Sequence, residues 1–314
     1  MNSTEYEDVE VSVFFRWSAI ISMFVLSFLG TLLNSMLLFQ FLTKKGKYTG
    51  FEKLCTVKTF PNVIISIAVL CWAVPTTISA LNYDEMPLDM NRIIGIVSGI
   101  GAYLFGPIIQ SFMAFNRFFV LYFPFKIQKM DRSPVFKIAI FGAFIAAVAI
   151  CVPAVPEMCA YVYDPDYYSW RVEDSECGEW NALLLMWVII TLSCISNSFN
   201  VIVISKLLFE KVGSAPGYAS KRKKRFLLMF TQSVIQDCIH VIDIINTIYT
   251  YKLSDEIWFQ FIFLSASFSF IYTFDGFVML YFHPDVQPIW LRSILRKQQI
   301  NQPVMVSSTI LTIT

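Results

Sequence analysis

Seven long apolar runs constrain the fold of this chain more than any other feature of its sequence. They cover residues 17–41, 59–81, 93–115, 135–156, 181–205, 227–250 and 258–281. A helix needs about 20 mostly apolar residues to cross a bilayer, and main-chain polar groups in lipid must be satisfied internally. The runs also lack the alternation typical of membrane barrel strands. The sequence therefore predicts an all-α membrane protein, built as a seven-transmembrane helix bundle.

The low content of charged residues agrees with a lipid-facing surface. Only 15% of the 314 residues are charged and 56% are apolar, whereas globular chains carry about 25% charged residues. The first apolar run is much longer than the roughly 7–15 residues of a signal-peptide core. We therefore interpret it as the first transmembrane helix.

The positions of lysine and arginine predict the orientation of the bundle. If the N-terminus lies outside, 20 of the 24 basic residues fall in inner segments, a count that includes Lys58 and Arg117. Such a bias in short loops is the positive-inside signal. The basic residues assigned to the outer segments are Arg16, Arg92, Arg171 and Lys252. Asn2, in the sequon Asn2-Ser3-Thr4, is a candidate glycosylation site and also falls outside.

The sixth apolar run is unusual because it carries several polar side chains. These are Gln232, Gln236, Asp237, His240 and Asp243. Ionisable groups inside a membrane are costly and usually face the interior of the bundle. Two interpretations stay open for the first four, and for Asp275 in the seventh run: a structural network between helices, or a ligand or ion site. Asp243 lies nearer the outer end and is expected to reach water.

Two cysteines, Cys159 and Cys177, lie in the loop between the fourth and fifth runs, with seventeen residues between them. In the predicted orientation this loop faces an oxidising compartment, where disulfides persist. A bridge would restrict the loop and stabilise its order by about 3 kcal/mol. The alternative is two free thiols. The other five cysteines, in or near the apolar runs, are expected to be free.

Several small or helix-breaking residues in the apolar runs predict local packing. Asn34, four residues after Gly30, is expected to bond a neighbouring helix, and Gly95 with Gly99 is expected to permit close helix approach. Pro75 is expected to kink the second helix because it frees a main-chain carbonyl.

No arrangement typical of an enzyme occurs in the sequence. There are two histidines, and we find no metal-ligand spacing, phosphate loop or serine nucleophile elbow. We therefore expect no enzymatic activity, no cofactor and no bound metal. The basic run before the sixth apolar run favours contact with anionic lipid or an acidic protein surface over nucleic acid. That run is Lys221, Arg222, Lys223, Lys224 and Arg225.

Arg117 lies at the inner end of the third run, within Asn116-Arg117-Phe118. An arginine near a helix end can simply extend to the interface. The functional alternative is that Arg117 changes partners between a resting and an active state.

Taken together, these motifs resemble those of nematode serpentine chemoreceptors of class X (srx). The shared features include Gly30 with Asn34, Trp72 with Pro75, and the Asn-Arg-Phe sequence followed by Pro124. They also include Gln232 and Gln236 after the basic run, and the Asp275-Gly276 pair. The most specific match is in the outer loop, where the shared residues are Cys159, Tyr163, Asp164, Pro165, Trp170, Cys177 and Gly178.

The resemblance implies a rhodopsin-like G-protein-coupled receptor that binds an external small molecule and activates a heterotrimeric G protein. It implies a receptor domain over residues 1–282, a short cytoplasmic tail over 283–314, and a location in the plasma or ciliary membrane of sensory neurons. Arg117 and the basic run Lys221–Arg225 would then face the G protein. Asn116 stands where the general family has an acid, so the usual local ion pair cannot form.

Two departures from the general rhodopsin-like pattern accompany this resemblance. The cysteine usual at the outer end of the third helix is missing, and a bridge between Cys159 and Cys177 would replace its link. A transporter or ligand-gated channel is the alternative function, which the polar residues of the sixth run motivate.

The predicted orientation can be tested with epitope tags. A tag at the N-terminus is expected to bind antibody on intact cells, and a tag at the C-terminus only after permeabilisation. The physical reason is the strong excess of basic residues on the inner side. The reverse staining pattern would show that the orientation is wrong.

Overall fold

The computed structural model describes residues 12–43, 49–81, 83–123, 135–156, 158–209, 218–283, 286–288 and 293. Seven long helices occupy most of these ranges, as predicted. They are α1 (Val13–Thr43), α2 (Gly50–Ser79), α3 (Leu88–Tyr122), α4 (Val135–Cys151), α5 (Glu176–Phe209), α6 (Tyr218–Ile248) and α7 (Ile257–Phe282). Within the described ranges, six helices are long and apolar enough to cross a membrane. The exception is α6, the helix that carries the polar residues.

Helix α2 begins much earlier than the sequence predicted, at Gly50 rather than at residue 59. Thr49 and Glu52 form a capping box at its start: the Thr49 hydroxyl accepts from the Glu52 amide at 3.3 Å, and the Glu52 carboxylate accepts from the Thr49 amide at 2.8 Å. Such reciprocal bonds satisfy free donors at a helix N-terminus. Lys58 therefore lies inside the helix and is fully buried. Its assignment to an inner segment was wrong.

The connection between α5 and α6 is shorter than the stretch between the fifth and sixth apolar runs, which end at residue 205 and begin at residue 227 respectively. Helix α5 continues to Phe209 and α6 begins at Tyr218. The backbone of the basic run Lys221–Arg225 is therefore helical. Its side chains lie outside the described part of the structure, and so do Asn2 and most of the tail.

Three of the helices contain a wider, π-helical segment. These segments are Val69–Ala73 in α2, Gly95–Ala102 in α3 and Ile262–Ala266 in α7. The segment in α2 ends two residues before Pro75, where a kink was expected. Such wide turns are a known cause of bending in helices, and they often occur at functional sites.

A β-hairpin covers one end of the bundle, which we call the hairpin end. Strands β1 (Tyr161–Asp164) and β2 (Ser169–Val172) pair antiparallel, with Tyr161 opposite Val172. A disulfide joins Cys159 to Cys177 beside the hairpin, with their Cα atoms 5.0 Å apart. The predicted bridge is confirmed, and the five remaining cysteines are free.

The start of α3 holds the hairpin through side chains rather than through a disulfide. The Asn91 amide donates to the Tyr163 carbonyl at 2.8 Å, and its oxygen accepts from the Tyr163 amide at 3.0 Å. Arg92 forms an ion pair with Glu173 at 2.7 Å. Asn91 thus pairs with β1 as a neighbouring strand would. The bridge from Cys159 to Cys177 does not reach α3, so the expectation that it replaces the missing cysteine's link was wrong. The contacts of Asn91 and Arg92 supply that link instead.

Gly95 and Gly99 serve this same contact, which corrects their predicted role. A Cβ at Gly95 would collide with the Tyr161 carbonyl, and one at Gly99 would meet the Tyr161 ring. The two glycines therefore admit the hairpin, not a neighbouring helix. Gly30 and Gly276 instead face helix contacts, where a Cβ would meet Ser66 and Asn34 respectively.

Removal of the disulfide is expected to loosen the hairpin without unfolding the bundle. Cys159→Ser should lower the stability of the loop by about 3 kcal/mol, because an unbridged loop has more unfolded conformations. Hydrogen exchange of the segment 158–177 in purified protein would measure this loss. Cys194→Ser, at an exposed free cysteine, is the matched control. Equal exchange in both variants would contradict the prediction.

Candidate functional site

A cavity of about 110 Å³ lies beneath the hairpin, between α3, α5, α6 and α7. Aromatic side chains contribute much of its wall: Tyr103 from α3, Tyr161 and Trp170 from the hairpin, and Phe268 from α7. Mostly apolar residues of α5 and α6, together with Gly99 of α3 and Leu264 and Ser265 of α7, complete it. Because an engineered cavity of about 150 Å³ holds benzene, this space suits a small organic molecule.

A residue of the cavity wall, Tyr103, is hydrogen-bonded to a buried carboxylate. The Tyr103 hydroxyl donates to Asp243 Oδ2 at 2.9 Å. Asp243 is only 1% exposed, so the expectation that it reaches water was wrong. The rings of Tyr103 and Tyr272 lie 6.5 Å apart, and Tyr272 contacts His240 with 6.4 Å between ring centroids.

Below the cavity, an ion pair between α2 and α7 forms the centre of a buried polar network. Lys58 Nζ lies 3.0 Å from Asp275 Oδ1, and both side chains are almost fully buried. Lys58 also donates to Gln110 Oε1 at 2.7 Å. Asp275 accepts from Asn62 at 2.6 Å and from Gln236 at 2.6 Å. The charges are thus paired and further hydrogen-bonded, as buried charges require.

The network continues to α1 through Asn34. Its amide donates to the Tyr272 carbonyl at 3.1 Å, and its oxygen accepts from Asn62 at 3.3 Å. The prediction that Asn34 bonds a neighbouring helix is confirmed.

In the other direction, the network reaches Arg117 at the end of the bundle opposite the hairpin. Gln110 donates to the Ser233 hydroxyl at 2.9 Å, and Arg117 donates to the same hydroxyl. A second Arg117 nitrogen donates to Asn200 Oδ1 at 2.8 Å. At 1% exposure, Arg117 does not extend to the interface. It is held inside the bundle by residues of α5 and α6.

Asp237 supplies the negative charge that Asn116 does not. Asn200 donates its amide to Asp237, and Ser196 donates to it at 3.2 Å. Arg117 is therefore linked to a carboxylate through Asn200 rather than by a direct local pair. Asn116, the residue before Arg117, is also buried. Phe118 stacks on Tyr122, with their ring centroids 4.5 Å apart.

Of the buried polar side chains that retain an atom without a hydrogen-bond partner in the described ranges, five lie on α6 and α7. They are Gln232, Gln236, His240, Asp243 and Tyr272. Gln236 and Asp243 still make one bond each through their other atoms. Groups of this kind are available to water or to a ligand. No group of three or more potential metal ligands occurs among the described residues.

The sequence singled out part of this site and missed the rest. Gln236, Asp237 and Asp275 are all in the network, whereas Gln232 and His240 are buried beside it. The pattern of apolar runs did not indicate that Lys58, Gln110 and Asn200 belong to the site. One signal was available: Lys58 and Asn62 are four residues apart, so they share a helical face.

Comparison with known proteins agrees with the fold. The family model described as "Serpentine type 7TM GPCR chemoreceptor Srx" matches residues 24–283, which is most of the chain. A comparison with curated proteins finds no match.

The ion pair between Lys58 and Asp275 yields a test of the network. Lys58→Met should destabilise the purified protein by about 3–5 kcal/mol, because it leaves a buried carboxylate without its cation. The double variant Lys58→Met/Asp275→Asn should recover much of this loss. Thermal unfolding in detergent would measure both. Additive losses in the double variant would contradict coupling between the two residues.

Proposed function

We propose, from the premise that this chain belongs to the Srx family of serpentine seven-transmembrane chemoreceptors, that it converts external small-molecule binding into G-protein activation. The family makes it a chemosensory G-protein-coupled receptor of the membrane. The ligand would enter the cavity beneath the hairpin. The heterotrimeric G protein would bind at the opposite end, near Arg117.

The observation that supports this proposal best is the continuous hydrogen-bonded path from the centre of the bundle to Arg117. It runs from Asp275 through Lys58, Gln110 and Ser233 to Arg117. The cavity lies between α3, α5, α6 and α7, and all four helices also contribute side chains to this path or to its ends. A ligand that shifts one of these helices would therefore change which side chains are hydrogen-bonded to each other along the path.

In the resting state, the partners of Arg117 would hold α3 against α5 and α6. Asn200 and Ser233 bond its guanidinium, and Asp237 offsets its charge through Asn200. Ligand binding can favour a second arrangement only if it binds that arrangement more tightly. In the active arrangement, Arg117 would leave these partners and face the G protein.

The basic run Lys221–Arg225 at the start of α6 would contribute to the same inner surface. Its charges suit an acidic surface of a G protein and the anionic headgroups of the inner leaflet. A plasma or ciliary membrane of a sensory neuron is the location that this proposal implies.

The proposal is tested by expressing the chain with reporter G proteins and screening small odorants. Arg117→Ala should abolish the ligand-driven signal, because the active state loses its central cation. Surface expression of each variant must be measured alongside. Arg16→Ala is a matched control, because Arg16 also bonds another helix, through the carbonyls of Thr77 and Ile78. An unchanged signal from Arg117→Ala would overturn the role given to Arg117.

The same screen separates the receptor from the rival function. A channel or transporter would give ligand-driven current or uptake in membranes without G proteins. Such a current, together with no reporter signal, would reject the receptor proposal.

A further inference from the structure

We propose that the ligand cavity selects small protonated amines, with Asp243 as the counter-ion and the surrounding aromatic rings as the apolar wall. This inference rests on the proposed receptor function, because it names the chemical class of the ligand. It follows from the charge balance of the bundle, the position of Asp243 and the composition of the cavity.

The charge balance leaves one carboxylate unmatched. Helices α6 and α7 bury three acids, Asp237, Asp243 and Asp275. In the described ranges the buried lysine and arginine side chains are Lys58 and Arg117, and His240 is also buried. Lys58 pairs with Asp275, and Arg117 is linked to Asp237 through Asn200. Among the described residues, no lysine or arginine forms an ion pair with Asp243. A buried charge without a partner is costly, so a bound cation would stabilise it.

The position of Asp243 makes it available to a molecule in the cavity. Its Oδ2 accepts from Tyr103, a residue of the cavity wall, and Ile244 beside it in α6 also lines the cavity. Thr247, one helical turn further on, lines the cavity as well. The second oxygen, Oδ1, has no partner within the described ranges. An ammonium group could donate to it directly. Charge-assisted bonds of this kind are roughly twice as strong as neutral ones.

The aromatic wall favours the same ligand class. Tyr103, Tyr161, Trp170 and Phe268 surround the cavity, and faces of aromatic rings attract cations. The volume of about 110 Å³ limits the ligand to roughly four or five non-hydrogen atoms, since about 150 Å³ accommodates the six of benzene. Small alkylamines combine this size with a positive charge and an apolar body.

The test compares isobutylamine with isobutanol, which has the same carbon skeleton and no charge. Binding of each radiolabelled compound to the full-length protein in lipid nanodiscs is measured by equilibrium dialysis at neutral pH, with empty nanodiscs subtracted. The amine is expected to bind about tenfold more tightly than the alcohol, because only the amine forms a charge-assisted bond. Equal binding, or no binding of the amine, would overturn the inference.

Substitutions assign the preference to Asp243. Asp243→Asn should weaken amine binding about tenfold and leave the alcohol within about twofold. Asp243→Glu keeps the charge and should retain the preference for the amine. Asp255→Asn removes an exposed carboxylate at the same end of the bundle and should change neither compound. Unchanged alcohol binding shows that the asparagine variant is folded, so an amine preference that persists in it would reject the role of Asp243.

These results are separable from those of the receptor screen. A reporter signal driven by neutral odorants, with no amine binding, would reject the ligand class and leave the receptor function intact. Amine binding that depends on Asp243, with no signal through any reporter G protein, would support the ligand class and reject the receptor function.

Discussion

The ion pair between Lys58 and Asp275 is the interaction on which the inner half of the bundle depends. Neither side chain reaches the surface, and an isolated charge at that depth would be costly. The pair is stable only because Gln110, Asn62 and Gln236 satisfy its remaining donors and acceptors. Those three residues lie on α3, α2 and α6. One buried pair therefore fixes the relative positions of four helices, and Asn34 extends the contact to α1.

The hairpin end depends on a different physical constraint: the main chain of the hairpin lies very close to helix α3. Asn91 bonds both polar atoms of the Tyr163 main chain, and Gly95 and Gly99 leave room for Tyr161. The disulfide and the ion pair of Arg92 with Glu173 keep the hairpin in that position. The cavity lies directly beneath it, and Tyr161 and Trp170 of the hairpin form part of the cavity wall.

The two ends are joined by polar groups rather than by apolar packing alone. The path from Asp275 to Arg117 is hydrogen-bonded throughout, whereas the region between Asp243 and Gln236 contains side chains with free atoms. A network in which some members lack partners can rearrange with a smaller loss of bonding than a fully satisfied one. The unsatisfied region lies next to the cavity, where a ligand would act. This arrangement is what a receptor that changes state requires.

The sequence by itself predicted the seven helices and the disulfide that the structure contains, because these depend on hydrophobicity, length and compartment. It also indicated Gln236, Asp237 and Asp275 as interior residues, since polar groups in an apolar run must face the bundle. Only the tertiary structure decided their partners. Lys58 lies before the apolar run and seemed to belong to a loop, yet a capping box extends α2 and places it in the core. Gly95 and Gly99 have helix-packing spacing, yet they face a hairpin. Such pairings join residues that are far apart in the chain, and no local pattern encodes them.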